Sequence, residues 1–197
     1  MIIEHGGVRM DNPNIHEVGS IRLRQLDVAG KSLPEPFPPT GLHNITGITD
    51  PCLETGGADL LKDSAGKVAE QPSTYQFSVL DTETGAVLGM VRIGRLFSAH
   101  PAAWLSINLM EDARSPERAG AIIGQALRVA FIDLGFHRVC VNLPSYRETE
   151  IAWYEEAGFL RETQRRQAVC HDDRLYDDLI YGILRYEWQK KQQEVGA

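Results

Sequence analysis

Hydrophobic and polar residues alternate in several short stretches, and each of these stretches predicts a half-buried strand. The clearest pair begins after Tyr75 and is separated by the turn sequence Thr82 to Gly85, which is typical of a β-hairpin; glycine at the end of the turn permits a positive φ. The strands predicted in this part of the chain are Ile21–Leu26, Phe77–Asp81, Ala86–Leu96 and Trp104–Met110.

A helical spacing replaces the alternation after Ser115. Serine favours the N-cap position, and Pro116 is suited to the first helical residue. Alanine, isoleucine and valine then recur every three or four residues until Gly135. Few polar residues interrupt this run, so the helix is expected to be largely buried.

The rest of the chain adds one strand, one helix and a second hairpin. His137–Leu143 is almost continuously apolar, as in a strand reached by a crossover connection. The next helix is predicted over Glu148–Ala157 and ends at Gly158. A hairpin, Thr163–Cys170 with Leu175–Tyr186, then leads into a charged tail. Strands, helix, strand, helix and hairpin in this order predict an α/β (α+β) fold with a mixed central sheet and flanking helices.

Other segments carry weaker patterns. The four prolines between Pro34 and Pro39 exclude helix and central strand and predict a long loop. A modest amphipathic helix is predicted over 57–70. Residues 1–20 are polar and lack periodicity. We therefore expect one domain over 21–188, preceded by a polar N-terminal segment, 1–20, and followed by a charged C-terminal tail, 189–197.

Length and composition agree with this outline. A chain of 197 residues with 43% hydrophobic residues suits a single globular domain. The net charge of −7 argues against binding to nucleic acid phosphates. The three cysteines, Cys52, Cys140 and Cys170, form no C-x-x-C pair, so neither a disulfide framework nor a metal site is expected. No stretch resembles a signal peptide or a membrane span, which leads us to expect a cytoplasmic protein.

The start of the long helix is the first candidate site. The free N–H groups and the dipole of a helix N-terminus attract anions, and the small residues here would allow a phosphate to approach the backbone. These small residues are Ala119, Gly120, Ala121 and Gly124. Small residues at a helix start more often serve tight packing, so this pattern alone does not establish a phosphate site.

Four stretches together resemble the GNAT family of acyl-CoA-dependent N-acetyltransferases, in its RimJ/RimL-like branch. They follow the family's order across residues 75 to 188. Two departures occur in the phosphate motif, at Ala121 and Ile123, and Arg147 stands where the family usually has asparagine. The stretches are Arg118–Leu127, Ala130–Val139, Trp153–Phe159 and Tyr176–Trp188.

The resemblance implies how the acyl donor, acetyl-CoA, would bind. Two central parallel strands are expected to splay apart, with the pantetheine arm pairing with the backbone of one of them. The pyrophosphate is expected at the N-terminus of the following helix, and no metal is needed. The implied donor-binding residues are Ile107, Leu109, Met110, Arg118, Ala119, Gly120, Ala121, Ile122, Ile123, Gly124 and Arg147.

The resemblance also implies catalytic roles. Tyr154 occupies the position of the family's usual acid, where a phenol protonates the departing thiolate. A base is harder to assign. Glu111 is the first candidate, with Asp112 and Glu148 as alternatives, and His100 has a suitable side chain in a loop. Each of these groups is also explained as an ordinary surface residue.

The implied reaction moves an acetyl or short acyl group from CoA to a primary amine, on a protein N-terminus or a small molecule. The alternative is a non-catalytic domain of the same fold that senses acyl-CoA or contacts proteins. Pro34–Pro39 is expected either to line the acceptor site or to be a surface connection. We expect a homodimer, with Trp104 and Trp188 as candidate interface residues, and no membrane or nucleic acid partner.

Overall fold

The computed structural model of this chain describes residues 15–26, 42–44, 74–97 and 100–195. In these ranges, nine strands form one mixed sheet in the order β1-β2-β4-β5-β6-β7-β9-β8, with β3 beside β6. The strands are β1 (Ile15–Val18), β2 (Ile21–Gln25), β3 (Leu42–Asn44), β4 (Thr74–Asp81), β5 (Val87–Phe97), β6 (His100–Met110), β7 (Arg138–Pro144), β8 (Leu160–His171) and β9 (Arg174–Leu184). The helices are α1 (Pro116–Arg128), α2 (Glu148–Ala157) and α3 (Arg185–Val195).

The predicted mixed α/β architecture is confirmed. β4, β5 and β6 pair antiparallel in sequence order, whereas β6 and β7 pair parallel across the α1 crossover. The hairpin turn after β4 has Gly85 at φ +70, and the Asp81 carboxylate accepts hydrogen bonds from the Glu83 and Thr84 N–H groups. These bonds hold the pKa of Asp81 below its usual value.

Helix α1 begins as its sequence predicts. The Ser115 hydroxyl accepts a hydrogen bond from the Arg118 N–H at 3.3 Å, and Pro116 is the first helical residue. The helix ends in a wider helical turn, Val129–Asp133, before Gly135 at φ +71. Its buried residues include Ala119, Ile122, Ile123, Gln125, Ala126 and Leu127.

The described helices pack on one face of the sheet, which we call the helical face. Val139, Val141 and Leu143 of β7 are fully buried there. The Tyr181 hydroxyl of β9, directly opposite Val141, donates to the Glu155 carboxylate of α2 at 2.8 Å. These contacts place the core between the sheet and the three helices.

The opposite face of the sheet is lined by polar side chains, and we call it the polar face. Strand register assigns them to it, because directly opposed residues point to the same side. Ser106 opposes Arg92, which opposes Gln76, while Asn108 lies in the next row. The polar residues on this face are Gln76, Ser78, Arg92, Ser106, Asn108, Asn142 and Asp178.

Both ends of the domain differ from the prediction. Residues 15–18 form a strand on β2, so this part of the predicted N-terminal segment belongs to the sheet. The predicted charged tail is helical as far as Val195, in α3. Trp188 explains why this helix docks: it is buried and packs against Phe131 at a ring distance of 5.5 Å. The helix predicted over 57–70 and the Pro34–Pro39 loop lie outside the described residues.

Candidate active site

β6 and β7 separate after a short parallel contact. They pair only through Ala102–Trp104 and Arg138–Cys140, although β6 continues to Met110 and β7 to Pro144. The predicted splayed pair is therefore confirmed. The gap between the two strands widens toward their C-terminal ends, where the N-termini of α1 and α2 follow.

Strand β3 pairs with β6 inside this gap. Leu42, His43 and Asn44 oppose Met110, Leu109 and Asn108, in that order. β5 takes the other edge of β6, so β3 occupies the edge that faces β7. The strand segment expected to pair with pantetheine thus already has a partner at Leu109 and Met110, whereas Ile107 has none from β3.

The residues expected to bind pyrophosphate lie inside helix α1 rather than in a loop before it. Ile122 and Ile123 are fully buried in the core, so the bulk of Ile123 does not reach an outside ligand. Gly120 and Ala121 are exposed and Gly124 is half-buried. The Ser115 carbonyl accepts the Ala119 N–H at 2.8 Å, and Pro116 has no N–H group.

The side chain of Arg118 contacts two oxygen atoms near the N-terminus of α1. Its guanidinium donates to the Asp112 carbonyl at 3.3 Å and lies 3.8 Å from the Asp81 carboxylate. The roles of Arg118 and of Ala119–Gly124 in phosphate binding stay predictions.

Tyr154 lies on α2 and is fully buried. Its ring meets Phe159 edge-on at 5.2 Å, and its hydroxyl has no hydrogen-bond partner in the described chain. Burial, followed by the nearby Glu150 carboxylate, raises the pKa of Tyr154 well above its usual value. The phenol therefore keeps its proton at neutral pH.

Glu150 connects this tyrosine to the start of α1. It lies one helical turn before Tyr154, is 5% exposed, and forms an ion pair with Arg114, which lies two residues before Pro116. Glu150 is not among the candidate residues named from the sequence. The spacing of four residues from Tyr154 was the available signal.

Arg147 immediately precedes α2. Its guanidinium lies over the Tyr146 ring at 5.6 Å, and one of its terminal nitrogens is buried without a hydrogen-bond partner in the described residues. Its carbonyl accepts the first helical bond, from the Ile151 N–H. The role of Arg147 in donor binding stays a prediction.

The candidate bases lie at the C-terminal ends of the two splayed strands. Glu111 and Asp112 are exposed in a short helical turn directly after β6, and Glu148 is exposed in the first turn of α2. His100 begins β6, at the opposite end of the strand from the gap. The position of His100 makes it the least suitable of the four.

The half-buried Asn142 and the buried Asp178 are hydrogen-bonded on the polar face. The Asn142 Nδ2 donates to Asp178 Oδ2 at 3.1 Å, and Arg165 donates to the same oxygen through Nε at 2.8 Å. Asp178 is 1% exposed. Asp178 is not among the candidate residues named from the sequence, and only the pairing of β7 with β9 brings it beside Asn142. The interruption of two apolar strands by these polar residues was the available signal.

No group of three potential metal ligands occurs among the described residues. Within the same ranges, no helix is long and apolar enough to cross a membrane.

Comparison with known proteins identifies the fold. No family model matches the chain. An uncharacterized N-acetyltransferase of Bacillus subtilis (strain 168), YokL, derived from the SPbeta prophage, is 24% identical over 123 residues, which are 62% of this chain and 70% of that protein.

Solved structures of Vibrio cholerae SpeG superpose on the chain at 21% identity. Mutant forms of this spermidine/spermine N-acetyltransferase give a TM-score of 0.58, covering 68% of this chain and 77% of that one. The complex of the spermidine N-acetyltransferase with CoA and spermine gives 0.57, covering 66% and 77%. The chain therefore has the GNAT fold of these acetyltransferase structures.

Proposed function

We propose that this protein is a GNAT-family N-acetyltransferase that transfers an acetyl or short acyl group from CoA to a primary amine. Two observations carry the proposal: the gap between β6 and β7, and the buried, unpartnered hydroxyl of Tyr154 on α2, the helix that follows β7. The fold shared with SpeG and the similarity to YokL support it.

The Tyr154 hydroxyl fits the acid of this reaction. A buried hydroxyl without a partner is costly, so its presence needs a reason beyond packing. When the neutral amine nitrogen attacks the thioester carbonyl, the carbon–sulfur bond breaks and the sulfur gains a negative charge, while the nitrogen gives one proton to a base, for which Glu111 is the first candidate. The phenol, held neutral by its raised pKa, donates its proton to that sulfur.

The donor's phosphates would meet the positively charged side chains at the ends of the gap. Arg118 lies at the start of α1 and Arg147 at the start of α2, and both helix N-termini add a favourable dipole. The thioester would extend from there into the gap. If pantetheine pairs with Leu109 and Met110, β3 has to leave the edge of β6. Otherwise the donor pairs with β6 at Ile107 and the residues before it.

The acceptor is a primary amine, of a protein N-terminus or of a small molecule as in the RimJ/RimL-like branch. The excess of acidic residues over the whole chain favours a cationic acceptor by attraction at a distance. A homodimer, a cytoplasmic location and a reaction without metal belong to the same proposal.

The test is release of the CoA thiol from acetyl-CoA by the purified protein, with a panel of primary amines and basic peptides. We expect amine-dependent release and a mass increase of one acetyl group on the amine. Saturable acetyl-CoA binding without turnover of any amine would instead favour the non-catalytic alternative.

A further inference from the structure

We propose that Asn142 and Asp178 form the binding site for the ammonium group of the acceptor, on the polar face of the sheet. The proposal deepens the proposed acetyltransferase function and rests on it. It begins from two oxygen atoms that have no hydrogen-bond partner although they are buried: Asn142 Oδ1 and Asp178 Oδ1.

These two oxygens belong to one connected pair. The only described hydrogen bond between the two side chains joins Asn142 Nδ2 and Asp178 Oδ2 at 3.1 Å, so both Oδ1 atoms remain as acceptors. Buried acceptors are nearly always satisfied in folded proteins. The missing partner is therefore a hydrogen-bond donor, and an ammonium group carries three.

The charge of the pair favours a cation. Arg165 contacts only Oδ2 of Asp178, and the arginine side chain is 52% exposed whereas that of Asp178 is 1% exposed. Water screens the guanidinium more than the carboxylate, so one face of a buried negative charge remains for a ligand.

The location suits the acceptor rather than the donor. Asn142 lies two residues beyond Cys140, the last residue of β7 that pairs with β6, and therefore beside the gap. Asp178 opposes Pro144, at the end of β7. Register places both side chains on the polar face, whereas Tyr154 lies on α2 across the sheet. The amine and the thiolate acid would thus approach the gap from opposite sides.

The test compares Asp178→Asn with Asp172→Asn. Both substitutions remove one negative charge from the same hairpin, but Asp172 is 88% exposed in the turn and has a positive φ that asparagine tolerates. The probes are n-butylamine, 1,4-diaminobutane and alaninamide, with 1-butanol as the uncharged comparison. Affinity is measured by calorimetry, and KM is measured by CoA release.

We expect Asp178→Asn to weaken amine binding, or to raise the amine KM, by about tenfold or more, since it removes a charge-assisted hydrogen bond. Acetyl-CoA affinity should stay within about twofold, and Asp172→Asn should match the wild type. Butanol should not bind. Asn142→Leu, which removes one of the two acceptors, should weaken amine binding in the same direction and serves if Asp178→Asn does not fold.

Equal amine affinity in wild type and Asp178→Asn overturns the proposal, as does failure of the wild type to bind any of the three amines. A wild type that binds amines but no acetyl-CoA would instead contradict the acetyltransferase function and leave the ammonium site intact.

Discussion

The packing of Tyr154 and its proposed chemistry favour different side chains. Packing would favour phenylalanine, because the hydroxyl is buried without a partner among the described residues. A proton donor to sulfur requires the hydroxyl. The sequence motif around Tyr154 predicts a catalytic role, which stays a prediction, whereas its full burial and the Glu150–Arg114 ion pair are seen only in the structure.

The Tyr154→Phe variant tests the catalytic role of the hydroxyl separately from the packing of the ring. We expect kcat to fall by about 10² to 10⁴, the range for loss of a positioned acid, with little change in acetyl-CoA affinity. The melting temperature should stay the same or rise, because no hydrogen bond is lost. Steady-state kinetics and thermal unfolding measure the two effects.

Tyr186→Phe is the matched control, since Tyr186 lies at the start of α3 and is 60% exposed. An unchanged kcat in Tyr154→Phe would remove the acid role and leave the hydroxyl without an explanation.

The buried tyrosines also predict how stability depends on pH. In the unfolded chain, phenols lose their protons near pH 10. In the folded protein, burial raises the pKa of Tyr154 well above that value, and burial with the Glu155 hydrogen bond raises the pKa of Tyr181 to about 12. The unfolded state therefore loses protons first, and the free energy of unfolding should fall as pH rises above about 10.

Denaturant unfolding between pH 8 and 11 tests this expectation. Tyr154→Phe should lose less stability over that interval than the wild type does, because one of the responsible groups is gone. Identical slopes in the two proteins would show that Tyr154 keeps an ordinary pKa, which would contradict its burial.

Among the elements, those with a clear local pattern were predicted and those made by tertiary pairing were not. The strands and helices between Thr74 and Gly158 carry their own periodicity, caps and glycine turns, so their existence follows from local sequence. β1 and β3 have four and three residues and gain their structure from β2 and β6. α3 is mostly polar, and one buried residue, Trp188, decides that it packs.

β3 gives a prediction at the scale of elements. If β3 and the donor share the edge of β6, weakening β3 should strengthen donor binding. His43→Pro removes an N–H group from β3, which proline cannot replace in a strand. We expect acetyl-CoA to bind several-fold more tightly than to the wild type, measured by calorimetry.

His43→Ala keeps the backbone N–H and is the control. Weaker acetyl-CoA binding in His43→Pro than in His43→Ala would indicate that β3 supports the donor site instead of competing for it.

For the whole molecule, composition and order of elements were enough to predict a mixed sheet with flanking helices, but not the division into two chemically different faces. That division depends on the register across five strands, β4, β5, β6, β7 and β9, because a shift of a single residue would exchange the core and the polar side chains. Asn142 and Asp178 are 36 residues apart in sequence, and their contact follows only from the pairing of β7 with β9.

The central claim, that the gap between β6 and β7 receives acyl-CoA, is tested most directly by calorimetric titration of the folded protein with acetyl-CoA. The account predicts saturable binding with one site per chain. No binding up to about millimolar acetyl-CoA, well above the usual KM range of enzymes, would contradict it and leave a non-catalytic domain with this fold.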